Sequence, residues 1–167
     1  MMKFKTVVLA ATAALALTGA PANAQDKDMI GTFTMGDLEM ALGANGAKWE
    51  DIPDDNSINV TFSNGLYANA LLMACEDSDA LKNCYGTSML ATFEWPENAS
   101  DAEVQKGVAE YNYRNNFGRA YVDPEGILSV RMYIISDGGI TRENYRRQIQ
   151  LWASSLEKFP GYFPESE

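Results

Sequence analysis

Ser57-Ile58-Asn59-Val60-Thr61-Phe62-Ser63-Asn64-Gly65 alternates apolar and polar side chains and then breaks into a turn. Period two belongs to a strand with one buried face, which turns Ile58, Val60 and Phe62 toward a core. Asn-Gly accepts the positive φ of a tight hairpin, so the chain is expected to reverse there into a partner strand, Tyr67–Cys75. A polar loop from Glu76 to Asn83 follows. A third strand then spans Tyr85–Glu94, with Tyr85, Thr87, Met89, Ala91 and Phe93 on one face and Leu90 on the other. Pro96 stops it. Three strands in succession without an intervening helix indicate an antiparallel sheet.

Outward from this core the helical period takes over. Upstream, Thr34 is placed to cap a short helix carrying Leu38, Glu39 and Leu42, which Gly43, Asn45 and Gly46 end. Downstream, Ser100 and Glu103 form a capping box, and Val104, Val108 and Tyr111 fall at helical spacing behind it, so a second helix is expected from Ser100 to about Asn116. Gly118–Val122 and Leu128–Ile135 read as a second hairpin around Asp123-Pro124-Glu125-Gly126. Thr141 then caps a last helix in which Tyr145, Ile149, Trp152, Leu156 and Phe159 line one face, ending before Pro160-Gly161. The resulting order, αβββαββα, is that of an α+β protein.

The N-terminus has a different composition. Lys3 and Lys5 precede an apolar, uncharged run from Val7 to Leu17, and Ala22-Asn23-Ala24 has the small-x-small form that signal peptidase accepts. Residues 1–24 are therefore expected to be a cleavable signal and residues 25–167 a single exported domain, periplasmic in location. Thr12, Thr18, Gly19 and Pro21 dilute the run, so no integral membrane segment is expected after cleavage. The only two cysteines are Cys75 and Cys84, so no lipid-anchor cysteine lies near the cleavage point. Loss of Lys3 and Lys5 leaves 11 basic against 23 acidic residues, a net charge of −12. Phosphate backbones would be repelled, and no nucleic-acid partner is expected.

Candidate chemistry is sparse. With no histidine in the chain, Ser-His-Asp and Cys-His catalysis and every histidine-based metal site are removed together. No phosphate-binding glycine loop is present, and Gly138-Gly139 reads as a strand-to-helix turn needing positive φ. Asp51, Asp54 and Asp55, and again Glu76, Asp77 and Asp79, suggest calcium, but neither group fits the spacing of a calcium loop, so both read as solvated acidic loops. No catalytic residue, metal or cofactor is expected. Cys75 ends one strand and Cys84 begins its neighbour, so hairpin pairing brings them within bonding reach. In an oxidising compartment a structural disulfide is the preferred reading, over a redox pair or two free thiols. Glu76, Asp77 and Asp79 would suppress thiolate formation.

Tyr111-Asn112-Tyr113-Arg114-Asn115-Asn116-Phe117-Gly118-Arg119-Ala120-Tyr121-Val122-Asp123, then Gly126, Gly138-Gly139-Ile140-Thr141 and a helix bearing Trp152, resembles the YbjN-domain family. The resemblance extends over about residues 34–163 and is sharpest over 111–152. That family is described as bacterial sensory transduction regulators. Its fold is similar to that of type III secretion chaperones, which share the order αβββαββα. Such chaperones commonly form homodimers and hold an unfolded segment of a partner. The resemblance therefore implies a non-enzymatic domain that binds a protein or peptide, with homodimerisation. Usual members are cytoplasmic, and the signal sets this chain apart from them.

Within the family-like stretch Asn112 and Arg119 are polar, and each reads first as a support of strand and turn and second as a binding residue. On the last helix Arg142, Arg146 and Arg147 lie off the apolar face. They form a basic patch that Glu143 partly neutralises through Arg147, four residues on. Arg142 and Arg146 are candidates for a partner's rim, with docking expected at an open sheet edge or apolar groove. The alternative function is a sensor of a small molecule or envelope component, its ligand held between sheet and helices by Trp49, Tyr67, Met73 and Trp152. A third class is an enzyme working with carboxylates alone.

Overall fold

The computed structural model describes residues 28–53 and 55–164. The expected signal lies outside them. Helices α1 (Met35–Ala44), α2 (Asp101–Arg114) and α3 (Arg142–Leu156) cover one face of a six-stranded antiparallel sheet. Its strands are β2 (Lys48–Asp51), β3 (Ser57–Thr61), β4 (Tyr67–Asp77), β5 (Lys82–Phe93), β6 (Arg119–Val122) and β7 (Leu128–Ile135), in the spatial order β2-β3-β4-β5-β7-β6. A separate ribbon pairs β1 (Met29–Ile30) with β8 (Ile140–Thr141). The fold is α+β with grouped strands.

The helix starts follow their sequence signals. Thr34 and Ser100 each close a reciprocal capping box, with Asp37 and Glu103, and the Thr141 hydroxyl accepts from the Asn144 N–H at 3.1 Å. On α3 Tyr145, Ile149, Trp152 and Leu156 are essentially inaccessible to solvent. They meet Ile58, Val60, Met89, Val130 and Ile134 in one core. Burial of each such large side chain is worth roughly 1.5–3 kcal/mol. The buried tyrosine hydroxyls are paired, Tyr111 at 2.8 Å from Ser155 Oγ and Tyr145 at 2.9 Å from Thr87 Oγ1, whereas the indole N–H of Trp152 has no partner among the described residues. Burial pushes both tyrosine hydroxyls above their ordinary pKa, so they stay neutral hydrogen-bonding groups.

Four features depart from the sequence expectation, the β1–β8 ribbon being the first. β2 is an additional strand, paired with β3 through Trp49↔Val60. The expected loop from Glu76 to Asn83 is half strand, because β4 runs to Asp77 and β5 starts at Lys82. Finally, α3 stops at Leu156, and Phe159 reaches the core from a 3-10 turn, Phe159–Tyr162, in which Pro160 cannot supply the N–H an α-helix requires.

Candidate functional site

The helices cover one face of the sheet and leave the other open. Along β7, Leu128, Val130, Met132 and Ile134 are buried against the helices, while Tyr133 and Ile135 are 53% and 54% exposed. Along β4, Ala68, Ala70 and Leu72 point inward and Leu71 and Met73 outward. Register then lines up rows across the open face. Asn69, Leu90, Arg131 and Arg119 form one row, Leu71, Ser88 and Tyr133 the next, and Met73, Gly86 and Ile135 a third. A Cβ at Gly86 would fall 2.8 Å from Met73 Cγ and 3.4 Å from Ile135 Cδ1. Its absence lets those two side chains close over the strand, so the open face carries a continuous apolar strip.

At the β6–β7 end this strip meets charge. Arg119 and Arg131 are register partners on the open face. The Arg131 guanidinium lies 5.6 Å from the Tyr121 ring centre and 5.9 Å from that of Tyr133, and its Nη1 donates to the Tyr133 hydroxyl at 3.1 Å. Both contacts are cation–π arrangements that hold the guanidinium in place. Arg119, Tyr121, Arg131 and Tyr133 line an open groove of about 470 Å³.

The residues singled out in sequence fall in three places. Arg119 is on this face and exposed. Asn112 is behind it, on α2, where its side chain bonds the Ala120 backbone of β6. Arg142 and Arg146 are on the helical side, where the Arg142 side chain stays 46% exposed and that of Arg146 27%. Arg142 pairs with the buried Asp37 of α1, while Arg146 pairs with Glu143 and donates to Asn45 Oδ1 at 3.3 Å. Arg147 instead donates to Gln150. Arg142 and Arg146 thus join α3 to α1 and its cap. Burial alone would raise the Asp37 pKa, but bonds from Thr34 and Arg142 outweigh it and hold the carboxyl below its ordinary value.

Cys75 and Cys84 are direct register partners, and their sulfurs are bonded. The four residues expected to enclose a small ligand do not converge. Trp152 is wholly buried, Met73 lies on the opposite side of the sheet, and Trp49 and Tyr67 line an open groove at the β2 edge. Among the described residues no group of three or more Cys, Asp or Glu side chains is arranged to hold a metal ion, and no helix is long and apolar enough to cross a membrane.

Arg131, Tyr121 and Tyr133 were absent from the sequence candidates. The alternation of β7 turns Arg131 and Tyr133 outward and that of β6 turns Tyr121 outward, but only the register of the second hairpin sets Arg131 beside Arg119.

The sheet edges are protected. At the β6 edge Asn112 satisfies both backbone groups of Ala120, and the β2 edge is a short strand carrying Lys48, Glu50 and Asp51, charges that disfavour strand addition. The open face is thus the larger uncommitted surface.

Comparison with known proteins agrees with this architecture. The crystal structure of YbjN from E. coli superposes with a TM-score of 0.55 at 13% identity, over 81% of this chain and 97% of that one. The HopA1–SchA chaperone–effector complex gives 0.48 at 12% identity, over 78% and 97% of the chains. An uncharacterized protein from Methanothermobacter thermautotrophicus gives 0.48 at 12%, over 79% and 100%. No curated protein sequence matches the chain. The YbjN family, described as "Putative bacterial sensory transduction regulator", matches residues 44–164. That match covers most of the sequence, and the chain belongs to the YbjN family.

Proposed function

We propose that this chain is an exported, non-enzymatic regulatory domain that binds an extended segment of a protein partner on the open face of its sheet. One observation carries the reading: the strip formed by Leu71, Met73, Leu90, Tyr133 and Ile135 is apolar, continuous in register and left uncovered by the helices. Apolar strips of this kind mark interaction surfaces, and an extended segment lying along the strands repeats its same-face side chains at the strands' own interval. The family's description as a regulator and the histidine-free composition support a binding role. Export rests on Lys3, Lys5, the uncharged run and Ala22-Asn23-Ala24.

A photo-crosslinking amino acid placed at Tyr133 tests the surface, with the same group at Tyr113, 86% exposed on α2, as reference. A discrete protein adduct is expected from the first position and not the second, and Ile135→Asp should abolish it. Equal adducts from both positions, or none from Tyr133, would refute the reading. A protein found in the periplasmic fraction with an intact mass starting at Gln25 would support export. Retention of Met1 would overturn it. Light scattering of the same material measures the homodimer.

A further inference from the structure

Arg119 and Arg131 stand side by side on an acidic protein without a counter-charge. They are paired in register across β6 and β7, and neither forms an ion pair among the described residues, although the chain carries 23 acidic against 13 basic residues. The ion pairs present lie elsewhere, at Arg114–Glu110, Arg142–Asp37 and Arg146–Glu143. Two adjacent guanidinium groups repel each other, and the groove between them is a local positive site that an anion relieves. Arg131 also has an unmade bond: its Nε–H is buried and has no hydrogen-bond partner.

The geometry suits one kind of anion. A guanidinium presents planar, forked donors that match a carboxylate two bonds at a time. Tyr121 and Tyr133 fix the plane of Arg131 beforehand, so little side-chain freedom is lost on binding. The Tyr133 hydroxyl, which accepts from Arg131, still has its own proton to donate. Immediately beside the pair stands Leu90, the register partner of Arg131, and beyond it the apolar strip. In an extended peptide, side chains on the same face recur roughly every 7 Å. A peptide with an acidic residue and an apolar residue two positions apart, and so on one face, would set a carboxylate on the arginines and an apolar group on the strip. An anionic membrane or a nucleic acid would instead press many phosphates against a chain whose net charge is −10 over the whole sequence and more negative without Lys3 and Lys5.

We propose that Arg119, Tyr121, Arg131 and Tyr133 form a carboxylate-binding site, whose occupant is a Glu or Asp side chain of an extended peptide segment on the open face. The proposal rests on the peptide-binding reading above and names the chemistry of its partner.

The test titrates the purified protein with two fluorescent peptides, one repeating Leu-Ser-Glu-Ser and one repeating Leu-Ser-Gln-Ser, so that Leu and the acidic or amide residue share a face. Inorganic phosphate and phosphatidylglycerol vesicles serve as separate arms. The Glu peptide is expected to bind about tenfold more tightly than the Gln peptide, as charge-assisted bonds require. Arg119→Gln and Arg131→Gln should each remove most of that advantage and leave the affinity for the Gln peptide unchanged. Arg131→Lys, which keeps the charge but not the fork, should restore only part of it. Arg119 is exposed, so its variant keeps the test valid even if Arg131→Gln disturbs the fold. Equal affinity for the two peptides, indifference to Arg119→Gln, or tighter binding of phosphate or vesicles would overturn the site. If the Gln peptide binds equally well and still depends on Ile135, peptide binding survives and the carboxylate site fails. If neither peptide binds, the carboxylate site fails, and the Tyr133 crosslink decides peptide binding separately.

Discussion

Asn112 holds both backbone groups of Ala120: its Nδ2 donates to the Ala120 carbonyl at 2.9 Å, and its Oδ1 accepts from the Ala120 N–H at 2.8 Å. A side-chain amide has the same donor and acceptor as a peptide group, so Asn112 takes the place of a neighbouring strand. Asn112→Ala should lower stability by about 1–2 kcal/mol in chemical denaturation, with Asn112→Asp intermediate because it keeps the acceptor and loses the donor. An unchanged denaturation midpoint for the alanine variant would show that water replaces both bonds without cost.

Asp37 and Arg142 predict a pH dependence of known sign. The Asp37 pKa in the folded protein lies below its ordinary value of 3.8. A group of that kind adds stability above its unfolded pKa and loses it as pH falls through the folded value. The melting-temperature gap between the wild type and Asp37→Asn should therefore be widest at neutral pH and close below about pH 4. Arg142→Glu, which sets one carboxylate against another, should melt lower than wild type at pH 7 and recover in acid. Identical melting of Arg142→Glu and wild type at pH 7 would contradict the pairing.

Gly118 sits at φ 105°, and a Cβ there would lie 2.7 Å from Trp152 Cδ1. The backbone conformation suits glycine, and the neighbour is a fully buried ring that cannot move aside. Gly118→Ala should cost at least about 2 kcal/mol and shift the Trp152 fluorescence, because strain and overlap act together. An alanine variant as stable as the wild type would mean that α3 repacks freely.

Reduction of Cys75–Cys84 should lower stability while leaving the fold in place. The bond closes a short loop, with a sequence separation of 9, for which chain entropy gives about 2.7 kcal/mol. Equilibrium unfolding with and without reductant measures it. Two free thiols in unreduced material would remove the basis of this prediction.

Much of the architecture was legible from the sequence because it rests on local rules. Asn64-Gly65 marked the β3–β4 reversal, the Ser100–Glu103 box marked the start of α2, and the helical spacing of Tyr145, Ile149 and Trp152 marked the buried face of α3. β2 was not legible. Three of its four residues are charged, and only Trp49 is apolar, so an exposed edge strand shows no alternation to read. The site was half legible for a related reason. Outward placement of Arg119 follows from strand period, but its neighbour is fixed by pairing across a turn. The partners of Arg142 and Arg146 were not legible because helical period reports only their own helix. Asp37 and Asn45, which bind them, come from the far end of the chain.

The β1–β8 ribbon joins Met29 to Thr141 and Ile30 to Ile140, and α1 is fastened to α3 by Asp37 and Arg142. The first described residues thus have no partners until almost all of the polypeptide has been made. Contacts that distant form late, since the intervening chain must be ordered before they repay its entropy. The fold would therefore close only when its first and last described elements meet, however early the local β3–β4–β5 hairpins form.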